Sequence, residues 1–241
     1  MNKKLNLGLL LNGENLLLED ILHYSRMAEE SGAESLWTSE LGRDAFTPLA
    51  AIASVIDSIR LGTAVATFAR PPMYTETAAM TLAELTGENF LLGLGTAPAH
   101  WNADWHGLHN YKPVERMREY VECIQKMWPS DLEHPVDYPG KYINVKNYGR
   151  FISAPCSKIP IYLAAVQEKM LALSGEVGDG LLGNMLNTPE YFAKIARPNV
   201  QIGRQRAERT NLKFEYATLK ICSVHRDPSR ARELSKHSIA F

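Results

Sequence analysis

The sequence predicts an α/β fold of the (β/α)8 TIM-barrel type, one domain over residues 1–241, apparently truncated after the seventh strand–helix unit. Three observations lead there. Apolar strand-like runs alternate with amphipathic helical stretches about seven times along the chain. The strand-like runs are nearly continuous in apolar residues, as parallel strands covered on both faces require. The length of 241 residues is close to the roughly 250 that such a barrel occupies. A doubly wound open sheet is the structural alternative.

The elements follow in order. Residues 5–11 form the first strand; Asn6 interrupts the apolar run and no small-residue cleavage site follows, which argues against a signal peptide. Residues 18–32 form a helix with Ile21, Tyr24, Met27 and Ala28 on one face and Gly32 as its stop. Residues 34–39 are a strand. Thr47 caps a helix running to residue 56, with Pro48 in its first turn. Residues 59–66 are the third strand, 72–87 a helix ending in glycine, and 90–96 the fourth strand. Residues 97–112 read as a long loop rich in Trp, His, Asn and Gly. Pro113 then opens a helix to residue 128 whose buried face carries Met117, Val121, Ile124 and Trp128. On its surface Arg116 pairs with Glu119 and Arg118 with Glu122.

An irregular insertion at about 129–158 contains a short hairpin around 141–145, and it is too short to hold a core of its own. Strand–helix alternation resumes with a strand at 159–165, a helix at 167–177 and a strand at 180–184. Residues 188–209 are helical but broken near Pro198, 212–225 are strand-like, and 228–241 begin a further helix. No eighth strand follows, so two sheet edges are expected to stay open.

Composition narrows the function. Lys and Arg number 26 against 27 Asp and Glu, a net charge of −1, so no global field draws nucleic acid or an anionic membrane. No apolar run approaches the roughly 18 residues of a membrane span. The three cysteines, Cys123, Cys156 and Cys222, are scattered and form no C-x-x-C pair, which fits a reducing cytoplasm and neither structural zinc nor a disulfide framework. There is no nucleophile elbow, P-loop or Cys-His signature.

In such a barrel, chemistry sits at the C-terminal ends of the strands. This selects Asn12 and Gly13, Glu40, Ala66 and Thr67, the stretch from Thr96 to Trp101, Ala165 to Gln167, Asn184 and His225. Glu40 follows an apolar strand and is the acid–base candidate; alternatively it pairs with Arg43. His100, closest of the loop histidines to the fourth strand's end, is the second proton-transfer candidate. His106 and His109 lie beside it, yet only Asp104 supports them at a metal-ligand spacing, so no metal is expected. Gly93-x-Gly95 lacks the third glycine of a dinucleotide fingerprint, because Pro98 stands there. These glycines instead admit a flat ring or relieve crowding inside the barrel.

Several segments together resemble the luciferase-like monooxygenase family, and within it the probable F420-dependent oxidoreductases. They are Ser35-Leu36-Trp37-Thr38-Ser39-Glu40, Asp44-Ala45-Phe46-Thr47-Pro48-Leu49, Arg60-Leu61-Gly62-Thr63-Ala64-Val65-Ala66 and Phe68-Ala69-Arg70-Pro71-Pro72-Met73. Further on come Leu92-Gly93-Leu94-Gly95-Thr96, Arg116-Met117-Arg118-Glu119-Tyr120-Val121, Ile161-Tyr162-Leu163-Ala164-Ala165-Val166 and Gly175-Glu176-Val177-Gly178-Asp179-Gly180. Their order and spacing extend over nearly the whole chain.

The resemblance implies an oxidoreductase using coenzyme F420 for hydride transfer to or from a small organic molecule. An FMN-dependent monooxygenase and a non-catalytic flavin-binding shortened barrel are the alternatives. It implies a cis peptide or bulge at Ala64, Val65 and Ala66 supporting the cofactor ring, with Thr67 following. Gly95, Thr96 and Ala97 would line the ring, and the turn with Ala165, Val166 and Gln167 would offer N–H groups to its phosphate. Glu40 maps near the family's acidic residue, but Leu41 stands where related deazaflavin enzymes often carry a histidine. A homodimer is the expected assembly.

Overall fold

The computed structural model describes residues 6–11 and 16–237; Asn12 and Gly13, expected at the first strand's end, lie outside the described residues. Strand β1 (Gly8–Leu10) leads to helix α1 (Leu18–Glu30). Glu19 and Asp20 sit in its first turn, where the helix dipole favours negative charge, and Asp20 accepts the Leu17 N–H at 2.9 Å. The buried stripe of α1 is Ile21, Ser25 and Ala28, a 3.6-period line. Tyr24 and Met27, expected on that face, are exposed, because they fall about 60° and 120° off it.

Strand β2 (Ser35–Thr38) is followed by α2 (Phe46–Ala53). Its cap is not Thr47 but Asp44, whose Oδ1 accepts the N–H groups of Phe46 and Thr47 at 2.9 Å each. Burial pushes the Asp44 carboxyl up, but these bonds and the nearby Arg70 outweigh it and hold it below its ordinary value.

The third strand is two pieces, β3 (Arg60–Thr63) and β4 (Ala66–Thr67), separated by a cis peptide between Ala64 and Val65. Helix α3 (Pro72–Leu85) and strand β5 (Phe90–Gly95) follow. The stretch read as a long loop holds helix α4 (Ala99–His106). Gly107 terminates it in the left-handed region (φ 63°), a stop signal that the surrounding Trp and His content obscures.

Helix α5 (Pro113–Met127) buries Met117, Val121 and Ile124, and Trp128 just beyond it is buried too. Each such side chain taken from water contributes roughly 1.5–3 kcal/mol. The insertion carries an antiparallel hairpin, β6 (Val136–Pro139) with β7 (Asn144–Tyr148), so residues 140–143 are its turn. Glu119 does not pair with Arg116. Its carboxylate accepts the N–H groups of Lys141, Tyr142 and Ile143 at 3.1, 2.6 and 2.9 Å, fastening that turn to α5. The expected Arg118–Glu122 pair is present at 3.8 Å.

The alternation then resumes through β8 (Ile161–Ala164), α6 (Glu168–Val177) and β9 (Gly180–Gly183). The helix expected to break near Pro198 is α7 (Pro189–Tyr191), a π-helical turn (Phe192–Ala196) and α8 (Arg197–Arg206). Pro198 lies just past the π-helical turn, whose wider winding is where the helix departs from the α form. Strand β10 is only Glu215–Thr218, so His225 is exposed and well past the strand end; α9 (Pro228–His237) closes the described chain.

The sheet runs β1–β2–β3–β5–β8–β9–β10, parallel throughout, with β4 beside β5. Every neighbour on that path is the next strand of the alternation, the topology of a curled barrel sheet rather than a doubly wound one. Among the described residues β1 and β10 do not pair with each other. Across the lower end, Glu215 draws β3, β8 and β10 together. Its Oε2 accepts from Tyr162 at 2.6 Å and Arg60 at 3.3 Å, and Lys213 pairs with its Oε1.

Burial acts to raise the Glu215 carboxyl, but the bonds from Lys213, Tyr162 and Arg60 prevail and take it down to about 2. A carboxylate lowered in this way stabilises the fold above its unfolded value of 4.5 and loses that contribution as pH falls from 4.5 toward 2. Glu215→Gln is therefore expected to melt below the wild type at neutral pH, with the gap narrowing through that window in thermal scans.

Candidate active site

The C-terminal strand ends bring most of the sequence-selected residues to one mouth. Thr63 sets its base: its Oγ1 donates to the Gly93 carbonyl at 2.7 Å and accepts the Gly93 N–H at 2.9 Å. Above it the chain passes through the cis Ala64–Val65 peptide into β4, which pairs with β5 through Ala66↔Leu94 and Thr67↔Gly95. Only a residue without a side chain fits at Gly95, where a Cβ would stand 2.5 Å from Val65 Cγ2 and 3.6 Å from Ala164 Cβ. Val65, Gly95 and Ala164 thus form a wall of small groups, which fits a flat ring lying against backbone.

Glu40 stands beside that wall, its side chain 17% exposed. Its N–H donates to the Val65 carbonyl at 3.1 Å, and its Oε2 accepts the Thr67 N–H at 2.7 Å. Its cationic neighbour is Arg70, 3.7 Å from Oε1, and not Arg43, which donates to the Leu16 carbonyl. Arg70 lies over the Phe46 ring, 4.8 Å from its centroid. The guanidinium of this arginine is thereby held between an aromatic face and the Glu40 carboxylate.

Beyond β5 the chain turns sharply at Ala97, which takes a left-handed φ of 54°. His100 lies near the start of α4, exposed, its ring edge against Trp101. Trp101 stacks on Trp105 at 4.6 Å and 17°. Asn102, fully buried, donates to the Thr96 carbonyl at 2.6 Å and the Tyr111 hydroxyl at 2.8 Å, while its Oδ1 has no partner. Arg116 packs over the rings of Phe68 and Tyr111 at 5.3 and 6.0 Å, and burial lowers its pKa. No group of three or more metal-ligating side chains comes together among the described residues, the loop histidines included.

On the far side, Ala165, Val166 and Gln167 lead into α6 with no side-chain cap; the Ala165 N–H donates to the Leu182 carbonyl at 3.4 Å and that of Met170 to the Gln167 carbonyl at 3.0 Å, and Glu168 is exposed. Tyr191 donates to the Val166 carbonyl and fixes this turn to α7. Asn184 follows β9 as expected, its Oδ1 accepting the Leu186 N–H at 2.9 Å. Sequence reasoning missed four polar residues here: Arg70, Asn102, Arg116 and Lys220. Lys220, two residues past β10, donates to the carbonyls of Met185 and Asn187. Arg70 and Arg116 fall within segments carrying the family resemblance, which was the available signal.

A parallel strand–helix barrel with small residues, Val65, Gly95 and Ala164, at its mouth defines the class. The chain belongs to the luciferase-like monooxygenase family, whose model matches residues 9–241. It is 29% identical over 225 residues to the 5,10-methylenetetrahydromethanopterin reductase of Archaeoglobus fulgidus, covering 92% of this chain and 65% of the relative. It is 35% identical over 168 residues to a putative coenzyme F420-dependent oxidoreductase of Mycobacterium tuberculosis, covering 64% of this chain and 48% of the relative. Among solved structures, the coenzyme F420-dependent tetrahydromethanopterin reductase of Methanopyrus kandleri superposes with a TM-score of 0.83 at 25% identity, covering 98% of this chain and 70% of that one. The chain thus spans about two thirds of the length, or less, of the curated relatives it matches. No helix among the described residues is long and apolar enough to cross a membrane.

Proposed function

We propose that this chain is an oxidoreductase that binds coenzyme F420 and uses it for hydride transfer to or from a small organic substrate. The observation carrying this reading is the wall of Val65, Gly95 and Ala164, where a Cβ on Gly95 would collide with Val65. The names of the F420-dependent relatives support it. When bound, the deazaflavin supplies the hydride; the protein orients the ring, excludes water and handles the proton.

Ala64, Val65, Ala66 and Thr67 form the floor under the ring in this reading, and Gly95, Thr96 and Ala97 its edge. The N–H groups of Val166 and Gln167, ahead of α6, take the phosphate; that of Ala165, in the same turn, is already given to the Leu182 carbonyl at 3.4 Å. Of the two proton-transfer candidates, His100 bonds to no described group through its ring nitrogens and is free to move a proton. Glu40 has Oε2 engaged by a backbone N–H and Oε1 beside a guanidinium. A cytoplasmic homodimer completes the proposal, and sedimentation of the purified chain checks the assembly.

The family's monooxygenase description favours FMN as the second cofactor reading. Absorbance and fluorescence titrations of purified protein with coenzyme F420 and, separately, FMN decide between them. Tight binding of the deazaflavin alone is expected. Preference for FMN moves the assignment to a flavin-dependent monooxygenase. Binding without turnover of any donor marks a non-catalytic flavin carrier, and binding of neither sinks the reading. Gly95→Val, whose Cβ would stand 2.5 Å from Val65 Cγ2 and so push Val65 out of place, is expected to weaken deazaflavin binding by about 5- to 150-fold, since misplaced bulk in a packed site costs about 1–3 kcal/mol.

A further inference from the structure

Strand β4 has a strand neighbour on one side only. Its pairing with β5 uses alternate backbone groups, and Phe68 N–H continues that side by donating to Gly95 at 3.3 Å. The groups between them, the Val65 carbonyl and the Thr67 N–H, point the other way, toward β2. Strand β2 ends at Thr38, whose carbonyl accepts the Ala64 N–H at 2.6 Å; the chain beyond it gives one further main-chain bond, from the Glu40 N–H, and no main-chain acceptor for Thr67. Thr67 is buried, and its N–H would be left unpaired there.

Glu40 fills both vacancies by itself. Its main-chain N–H meets the Val65 carbonyl, and its side chain curls back so that Oε2 meets the Thr67 N–H at 2.7 Å. Arg70, whose own N–H bonds to the Thr67 carbonyl at 3.3 Å, keeps the other oxygen in register from 3.7 Å. A side-chain carboxylate therefore supplies the acceptor that a neighbouring strand would supply elsewhere in the sheet.

We propose that Glu40 is a positioning residue: it acts through the backbone of Val65–Thr67, fixing the floor on which the cofactor ring lies, and does not exchange a proton with substrate. The part concerning the ring rests on the function proposed above; the part concerning the backbone does not. What the role demands of residue 40 is an acceptor on a side chain of this length. Charge is not required, so glutamine suffices and alanine fails.

The test compares wild type, Glu40→Gln and Glu40→Ala by hydrogen–deuterium exchange at the Thr67 amide and by fluorescence titration with coenzyme F420. Glu40→Gln is expected to keep the slow exchange and an affinity within about threefold of wild type, since the amide oxygen still accepts the bond. Glu40→Ala is expected to speed exchange and weaken affinity by about tenfold or more, the effect of one unpaired buried N–H. Glu40→Gln behaving like Glu40→Ala overturns the proposal, because charge and not an acceptor is then what matters. Unchanged exchange in Glu40→Ala overturns it too. If wild type binds no cofactor, the function proposed above falls and takes the ring's floor with it, while the exchange pattern alone still decides the backbone role.

Discussion

Gly93→Ala is expected to lose roughly 3 kcal/mol of stability or more, at the upper end of what overpacking costs, because the added carbon has nowhere to go. It would stand 1.8 Å from the Thr63 carbonyl oxygen and 2.7 Å from Leu182 Cδ1. The first of these is backbone, which cannot rotate away as a side-chain tip does. Relief requires β3 and β5 to part, and they are held at this level by the two bonds between Thr63 Oγ1 and Gly93. For a chain of this size each kcal/mol moves the melting temperature by roughly 2–4 °C, so a drop of roughly 6–12 °C is expected by calorimetry. A melting temperature within about 2 °C of wild type would contradict the close approach. Thr63→Val tests the same junction from its other side: it strips the Gly93 N–H and carbonyl of their partner and is expected to cost about 1–3 kcal/mol.

Arg150→Met is expected to destabilise the protein by about 3–5 kcal/mol at neutral pH in urea titration, the usual cost of breaking a buried ion pair from one side. Glu76 on α3 is fully buried, and two residues of the insertion hold it: Arg150 Nη1 at 2.5 Å and the Tyr148 hydroxyl at 2.8 Å. Arg150 is itself only 9% exposed, so solvent screens this pair little. Burial raises the Glu76 carboxyl, against the pull of Tyr148 and Arg150, and removing the guanidinium raises it further.

The sign follows from linkage. A carboxyl whose folded pKa exceeds its unfolded one favours folding while protonated and weakens it as pH rises through the folded value. The deficit of Arg150→Met is therefore largest at neutral pH and shrinks as pH falls toward 4.5, the ordinary value of the group. Adding Glu76→Gln removes the stranded charge and is expected to recover part of the loss. An equal deficit at all pH values would show that hairpin packing, not the stranded carboxylate, carries the cost.

The parts legible in the sequence are those with a short period or a local stop. The parallel alternation, the apolar stripe of α5 and the glycine after α1 all follow from residues within a few positions of each other. The resemblance also led correctly to the Ala64–Val65 peptide, the site of the cis bond. Local reading failed where a nearby rival won. Asp44 outcompeted Thr47 as the cap of α2, since its carboxylate reaches two N–H groups at once. The helix in 97–112 went unseen because its eight residues show no clean apolar face.

The candidate site shows the same division more sharply. Strand-end counting placed Glu40, Thr67, Thr96 and Ala165 at one mouth, and the family resemblance added Gly95. It did not assign their partners. Arg70 lies 30 positions from Glu40, and Thr67 lies 27 positions away. Arg116 turned from Glu119 to the rings of Phe68 and Tyr111, and Glu119 turned to the hairpin.

The sequence by itself determined the order of the parallel strands, most of the helices between them and the buried face of α5. These follow from periodicity and turn chemistry, which act over a few bonds. Only the tertiary structure decided which carboxylate meets which cation, which N–H closes on Glu40, and why Gly93 and Gly95 have no room for a side chain. Those outcomes depend on distances between segments brought together by folding, and a charged or polar group takes the partner that leaves the fewest buried groups unpaired.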